Sequence, residues 1–175
     1  MLTKVYAAAL QGIDAQIVTI EVNCTQGIQF FMVGLPDAAV KESHQRIISA
    51  LSHNGLKFPR RKVVVNLAPA DIKKEGSAYD LPIAIGLLAA NEELKSDKFK
   101  DYLIMGELSL DGSILPIKGG EKIKILREKQ KNMPLGIADS KIIPTFALAK
   151  TKWEVLYGQL LVNPPGLDRS KGSRS

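Results

Sequence analysis

The chain has 175 residues, 45% hydrophobic and 24% charged, which is the size and composition of one globular domain with a sizeable core. No apolar run approaches the roughly 18 residues of a membrane-spanning helix, the N-terminus lacks an apolar leader with a cleavage site, and the single cysteine, Cys24, excludes an internal disulfide. These features predict a cytoplasmic protein with no membrane partner, whose net charge of +6 falls entirely in residues 111–175, where 12 Lys/Arg face 6 Asp/Glu.

The N-terminal third reads as strands. Val5 to Leu10 is apolar and Gly12 breaks it. Val18, Ile20 and Val22 then alternate with Ile17, Thr19 and Glu21, the two-residue period of a strand with one buried face. Thr25-Gln26-Gly27 reads as a turn, and Ile28 to Val33 is expected to return as a hairpin partner. Gly34-Leu35-Pro36-Asp37 ends that strand, with Asp37 placed to cap a helix. Val40, His44, Ile47 and Leu51 give the helix one apolar face, and Asn54-Gly55 stops it.

Val63-Val64-Val65-Asn66-Leu67 is a β-branched run and a candidate central strand. Leu81 to Ala90 predicts a second helix, apolar on most sides and packed deep. Tyr102 to Leu108 is a further strand, Asp111-Gly112 a tight turn, and Ile114 to Ile117 a returning strand. Lys122 to Lys131 can form a basic helix, apolar residues continue to about 162, and residues 163–175 have the composition of a flexible tail. The pattern predicts an α+β fold with a mixed sheet.

Two segments carry a resemblance. Lys73-Lys74-Glu75-Gly76-Ser77-Ala78-Tyr79-Asp80-Leu81-Pro82 and Met105-Gly106-Glu107-Leu108 through Lys118-Gly119 are similar to the core of Lon-type serine proteases. Ala78 stands at the nucleophile position and Glu121 at that of the lysine. Val33-Gly34-Leu35-Pro36-Asp37, Val40-Lys41-Glu42-Ser43 and Asn66-Leu67-Ala68-Pro69-Ala70-Asp71 resemble the N-terminal domain of the ComM/YifB family, the Mg-chelatase-like AAA+ ATPases. The resemblance covers residues 1–118, and residues 119–162 read as a divergent continuation of the same domain. It implies a two-layer mixed sheet with helices, like Lon proteolytic domains and one domain of a small-subunit ribosomal protein. It also implies an accessory role beside the ATPase module of a full-length protein, in a ring-forming homo-oligomer that engages DNA in recombination and natural transformation.

The chemistry legible in the residues is sparse. No Gly-Lys-Ser/Thr phosphate loop occurs, so neither ATP hydrolysis nor a cofactor is expected of this chain. Ser77 and Lys122 lie one residue from the two Lon positions, and a shifted Ser–Lys peptidase dyad is the alternative reading. Otherwise Ser77 would cap the following helix, with Gly76 bending the loop. His44 and His53 lie on different helix faces, and Cys24 is isolated in the expected turn, which predicts no metal site. Asp71, Glu75 and Asp80, interleaved with Lys73 and Lys74, read as a solvated loop. Arg60, Arg61 and Lys62 form the densest basic cluster within residues 1–118 and are candidate nucleic-acid contacts. A truncated, stand-alone binding domain is the third reading.

Overall fold

The computed structural model describes residues 1–11, 14–94, 102–115, 117 and 135–137. Six strands form one mixed sheet, and two helices pack on one of its faces. In chain order the elements are β1 (Leu2–Gln11), β2 (Asp14–Thr25), β3 (Phe30–Val33), α1 (Ala38–His53), β4 (Lys62–Ala68), α2 (Asp80–Ala90), β5 (Leu103–Met105), β6 (Glu107–Leu108), β7 (Ile114–Leu115) and β8 (Leu135–Ile137). The large sheet runs β3-β4-β2-β1-β5-β8, and β6 pairs with β7 in a small second sheet. This is the expected α+β fold. The basic helix expected over residues 122–131, the continuation over residues 119–162 apart from β8, and the tail at 163–175 lie outside the described residues.

β1 and β2 form a long antiparallel hairpin, with Leu2 opposite Asn23 and Gln11 opposite Asp14. The two-residue period of β2 holds: Val18, Ile20 and Val22 are fully buried. Cys24 continues that row and is buried in the strand, so the expected turn begins later than Thr25-Gln26-Gly27 suggested. The expected β2–β3 hairpin is absent. β4 pairs antiparallel with β2 over Thr19–Thr25, and β3 lies parallel to β4 on the far side. Val63, Val65 and Leu67 are all fully buried, so this β-branched strand is central, with a neighbour along each edge.

Gly34 fixes the end of β3. Its φ is +95°, and a Cβ there would lie 2.2 Å from the Leu67 carbonyl oxygen. Only glycine meets both conditions. Asp37 then caps α1 by accepting the Val40 amide hydrogen at 2.7 Å. The helix buries Val40, Ser43, Ile47, Ala50 and Leu51. His44 stands beside that stripe and stacks on Phe30, with ring centroids 4.0 Å apart, while Phe58 meets it edge-on. Burial pushes the His44 imidazole below its usual range.

Every residue of α2 is buried. The helix lies against β1 and β2 at Gly86, where a Cβ would meet Val22 Cγ2 at 2.7 Å. The expected single strand over 102–108 breaks at Gly106 into β5 and β6, which belong to different sheets. The Gly106 amide donates to Ala78 and its carbonyl accepts from Leu81. A side chain there would press on Leu81 and Ile114, at 3.0 and 3.1 Å. β7 returns against β6 as expected, with Leu108 opposite Ile114. No helix among the described residues is long and apolar enough to cross a membrane.

Asp80, expected in a solvated loop, is fully buried at the start of α2. Arg46 of α1 grips it through Nε at 2.6 Å and Nη2 at 2.9 Å, and the Leu108 amide donates to it at 3.1 Å. Burial pushes the Asp80 carboxyl upward; the Arg46 and Leu108 hydrogen bonds oppose that push.

Two outcomes are expected. Gly34→Ala should lose at least about 2 kcal/mol in chemical denaturation, because it combines an unfavourable φ with a backbone clash. Arg46→Met leaves a buried carboxylate unpaired and should cost about 3–5 kcal/mol at neutral pH. With the guanidinium gone, the carboxyl is raised in the folded state relative to the unfolded chain, so the folded state binds the proton more tightly. Stability of the variant should therefore rise relative to wild type as pH falls toward the ordinary carboxylate range. Unfolding curves at pH 7 and pH 5 measure the difference; a deficit independent of pH would contradict this account.

Candidate functional site

The two Lon-like segments meet at a cleft of about 430 Å³. Its walls are the end of β1 (Ala8 to Leu10), the loop from Lys73 to Tyr79, and Met105, Glu107 and Ile117. Gly76 turns the loop with φ +81°, as expected, and its amide donates to Asp37 Oδ2 at 3.2 Å. Residues 77–79 then form a single 3₁₀ turn leading into α2.

Ser77 does not cap α2. The residue before that helix is Tyr79, which makes no side-chain cap. Ser77 Oγ instead donates to Glu107 Oε2 at 2.5 Å, spanning the cleft from loop to β6. Lys122, the other half of the alternative dyad, lies outside the described residues, as does Glu121. Ala78 presents a methyl group where the resemblance places a nucleophile, and its carbonyl is held by the Gly106 amide. Tyr79 is buried and donates to the Ala8 carbonyl at 3.1 Å. Burial raises its phenol well above the usual range, with Asp37 and Glu75 adding to the effect, so it stays protonated.

The acidic and basic residues of this loop separate by environment. Asp71 and Glu75 are exposed, and Glu75 pairs with Lys73 at 2.6 Å on the cleft rim. Lys74, expected beside them in solvent, is fully buried. Its ammonium donates to the Pro69 carbonyl, and burial lowers its pKa while Asp71 pulls it up. Its backbone ties the loop to the segment after β3: the Lys74 amide donates to Leu35 at 3.2 Å and its carbonyl accepts from Asp37 at 2.9 Å. Asp80 belongs to the core, so the three carboxylates are not brought together. Among the described residues no three His, Cys, Asp or Glu side chains converge to hold a metal.

Arg60 and Arg61 are exposed at the entry to β4, and Lys62 is half-buried as its first residue. Lys62 Nζ lies 5.6 Å from the ring centroid of Phe31 on β3. None of the three makes an ion pair among the described residues. Sequence reasoning missed Phe31 as their neighbour, because the parallel β3–β4 pairing that joins them has no local signature. It also missed Glu107 and Arg46, although Glu107 lies within a segment that carried the resemblance.

Comparison with known proteins agrees with this placement. Residues 20–138 match the family described as subunit ChlI of Mg-chelatase. YifB of Escherichia coli K12, an uncharacterized protein, is 40% identical over 146 residues, covering 77% of this chain and 29% of that protein. YifB of Salmonella typhimurium is 44% identical over 119 residues, covering 67% and 24%. Competence protein ComM of Haemophilus influenzae is 42% identical over 131 residues, covering 74% and 26%. The chain thus spans between 24% and 29% of the length of these relatives. It belongs to the ChlI-type Mg-chelatase family, as an N-terminal domain of the ComM/YifB kind.

Proposed function

We propose that this chain is a non-catalytic accessory domain of a ComM-like AAA+ ATPase, working in the cytoplasm and engaging DNA during recombination or natural transformation. The observation that carries the DNA reading is the cluster of Arg60, Arg61 and Lys62, presented at one end of β4 without carboxylate partners among the described residues. Such cations contact phosphates and release counterions, a sequence-independent mode of binding. Ring assembly is the companion role, and ATP hydrolysis would belong to a separate ATPase module. The relative named for competence supports the biological setting.

The test is affinity for labelled DNA against salt concentration. Binding should be indifferent to sequence and fall steeply with salt. The Arg60→Ala/Arg61→Ala/Lys62→Ala variant should lower the slope of log affinity against log salt by about 2–3, near one unit for each phosphate that is no longer neutralised. An unchanged slope would remove these residues from the interface.

The alternative is a Lon-like peptidase. Ser77 in the cleft favours it, while the carboxylate that holds its hydroxyl proton is a far weaker base than the lysine amine of a Ser–Lys dyad. A fluorophosphonate probe is expected to leave Ser77 unlabelled, by peptide mass spectrometry. Labelling abolished by Lys122→Ala would establish the shifted dyad.

A further inference from the structure

β3 is the outermost strand of the large sheet, and its free edge has no partner among the described residues. Edge strands of folded proteins are ordinarily protected by charge, proline or bulges. Phe30-Phe31-Met32-Val33 has none of these. Four large apolar side chains are exposed on it and its flanks: Ile28 at 89%, Phe31 at 44%, Val33 at 47% and Leu35 at 54%. They account for nearly half of the exposed large apolar residues in the described structure, gathered into eight positions.

Register shows that this is a local feature of the edge. On the face of the sheet away from the helices, Lys4, Glu21 and Asn66 form a polar row, with Lys4–Glu21 at 3.1 Å and Asn66–Glu21 at 3.0 Å. The next position in that row, on β3, is Val33, and the polar pattern stops there. The neighbouring row ends in Phe31.

The edge is also held in place. Gly34 allows the close approach to Leu67, and Gly27, with φ +129°, leads in beside Lys62. On the helix side, Phe30 is stacked on His44. The Val63 amide donates to the Gln29 carbonyl at 2.7 Å, which starts a parallel ladder. In such a ladder Gln29, Phe31 and Val33 turn their polar groups toward β4, and Phe30 and Met32 turn theirs outward. An incoming strand would meet preformed donors and acceptors.

Charge selects the occupant. Arg60, Arg61 and Lys62 lie at the N-terminal end of β3, with Lys62 over Phe31, and make no ion pair among the described residues. A second copy paired edge to edge about a two-fold axis normal to the sheet would run antiparallel, so each cluster of cations would meet the partner's Val33-Gly34-Leu35-Pro36, which offers it no carboxylate, and Asp37 beyond it is committed to the Val40 and Gly76 amides. DNA held by these same cations, as proposed above, would leave the outward amides of Phe30 and Met32, with Val33 and Leu35, unmatched, so an acidic strand and DNA would compete for this end of the sheet. We propose that β3 receives an extended polypeptide segment as an added strand, with apolar side chains beside Phe31 and Val33 and carboxylates at the end that meets Arg60, Arg61 and Lys62. Main-chain hydrogen bonds would supply affinity, and the apolar and acidic positions would supply specificity.

The experiment uses the whole chain and synthetic peptides read by fluorescence anisotropy. The probe is a peptide of alternating valine and threonine with a run of glutamates at one end, made with the run at either terminus. Controls carry lysines in place of the glutamates, or N-methyl groups on alternate amides. One of the acidic peptides should bind saturably, and at least about tenfold tighter than both controls, which is about 1.4 kcal/mol. Phe31→Ser and Val33→Glu, each checked for a wild-type circular dichroism spectrum, should weaken it by a similar factor. The N-methyl control needs no protein variant, so the proposal stands or falls even where a variant misfolds. Equal affinity for acidic and lysine peptides would overturn it, as would tolerance of N-methylation or absence of saturation at millimolar peptide. Self-association of the chain that Phe31→Ser abolishes would assign the edge to a second copy instead. Weaker oligonucleotide affinity in Phe31→Ser without peptide binding would assign it to nucleic acid.

Discussion

The carboxylate of Asp80 is the point from which the rest of this domain is arranged. It has no exposure to water, so it needs partners for its charge, and each of them comes from a different element. Arg46 reaches it from the middle of α1 while bonding the Ala39 carbonyl in the same helix, and the Leu108 amide reaches it from β6. Its own position, in the first turn of α2, adds the favourable field of the helix N-terminus. One buried charge thereby fixes α1 against α2, and both against the small β6–β7 sheet. Asn54 makes the same connection at the other end of α1, donating to Ala50 and to Asp111 in the β6–β7 turn. There Gly112 leaves room for it, since a Cβ would fall 2.2 Å from Asn54 Nδ2.

The cleft inherits its geometry from this arrangement. Glu107 is next to Leu108, whose amide is committed to Asp80, so β6 cannot slide without breaking that hydrogen bond. Ser77 is three residues before Asp80, across the 3₁₀ turn. The 2.5 Å bond between Ser77 and Glu107 is therefore a closure between two segments already positioned by Asp80. That is consistent with the accessory reading: the hydroxyl serves as a strut across the cleft, one residue from the position where the Lon-like pattern would place a nucleophile.

What the sequence disclosed and what it concealed divide along physical lines. The period of β2, the Asp37 cap, the Asn54-Gly55 stop and the apolar run from Leu81 to Ala90 in α2 are local signals, and each is found where it was expected. Partnership between distant segments is not local. The turn after Thr25 looked like a hairpin, but three consecutive valines at 63–65 made β4 the better neighbour for β2, and β3 was displaced to the edge. Asp80 looked like a loop carboxylate because the arginine that buries it is 34 residues away. Lys74 looked solvated because lysine usually is, and the Pro69 carbonyl reaches its ammonium only once the loop closes. The resemblance located the cleft, since two of its walls are the quoted segments and only the end of β1 lies outside them, but it carried no information about Glu107 as the acceptor of Ser77.

The same displacement of β3 has a consequence for where this domain can work. Had β3 paired with β2, Phe31 and Val33 would have stood inside the sheet, between other strands, and the cations at 60–62 would have opened a separate strand. Placing β4 between them puts the basic cluster and the apolar strand side by side at the boundary of the sheet. Lys62 shows the coupling directly: its stem packs at Gly27 and its ammonium lies over Phe31, so one side chain joins the turn, the strand and the charge. Charge attracts a partner over several ångströms, whereas an apolar edge with free amides acts only at contact. Their adjacency lets the first deliver a ligand to the second, and in the ladder order of this sheet β2 separates that β3–β4 junction from β1, which walls the cleft.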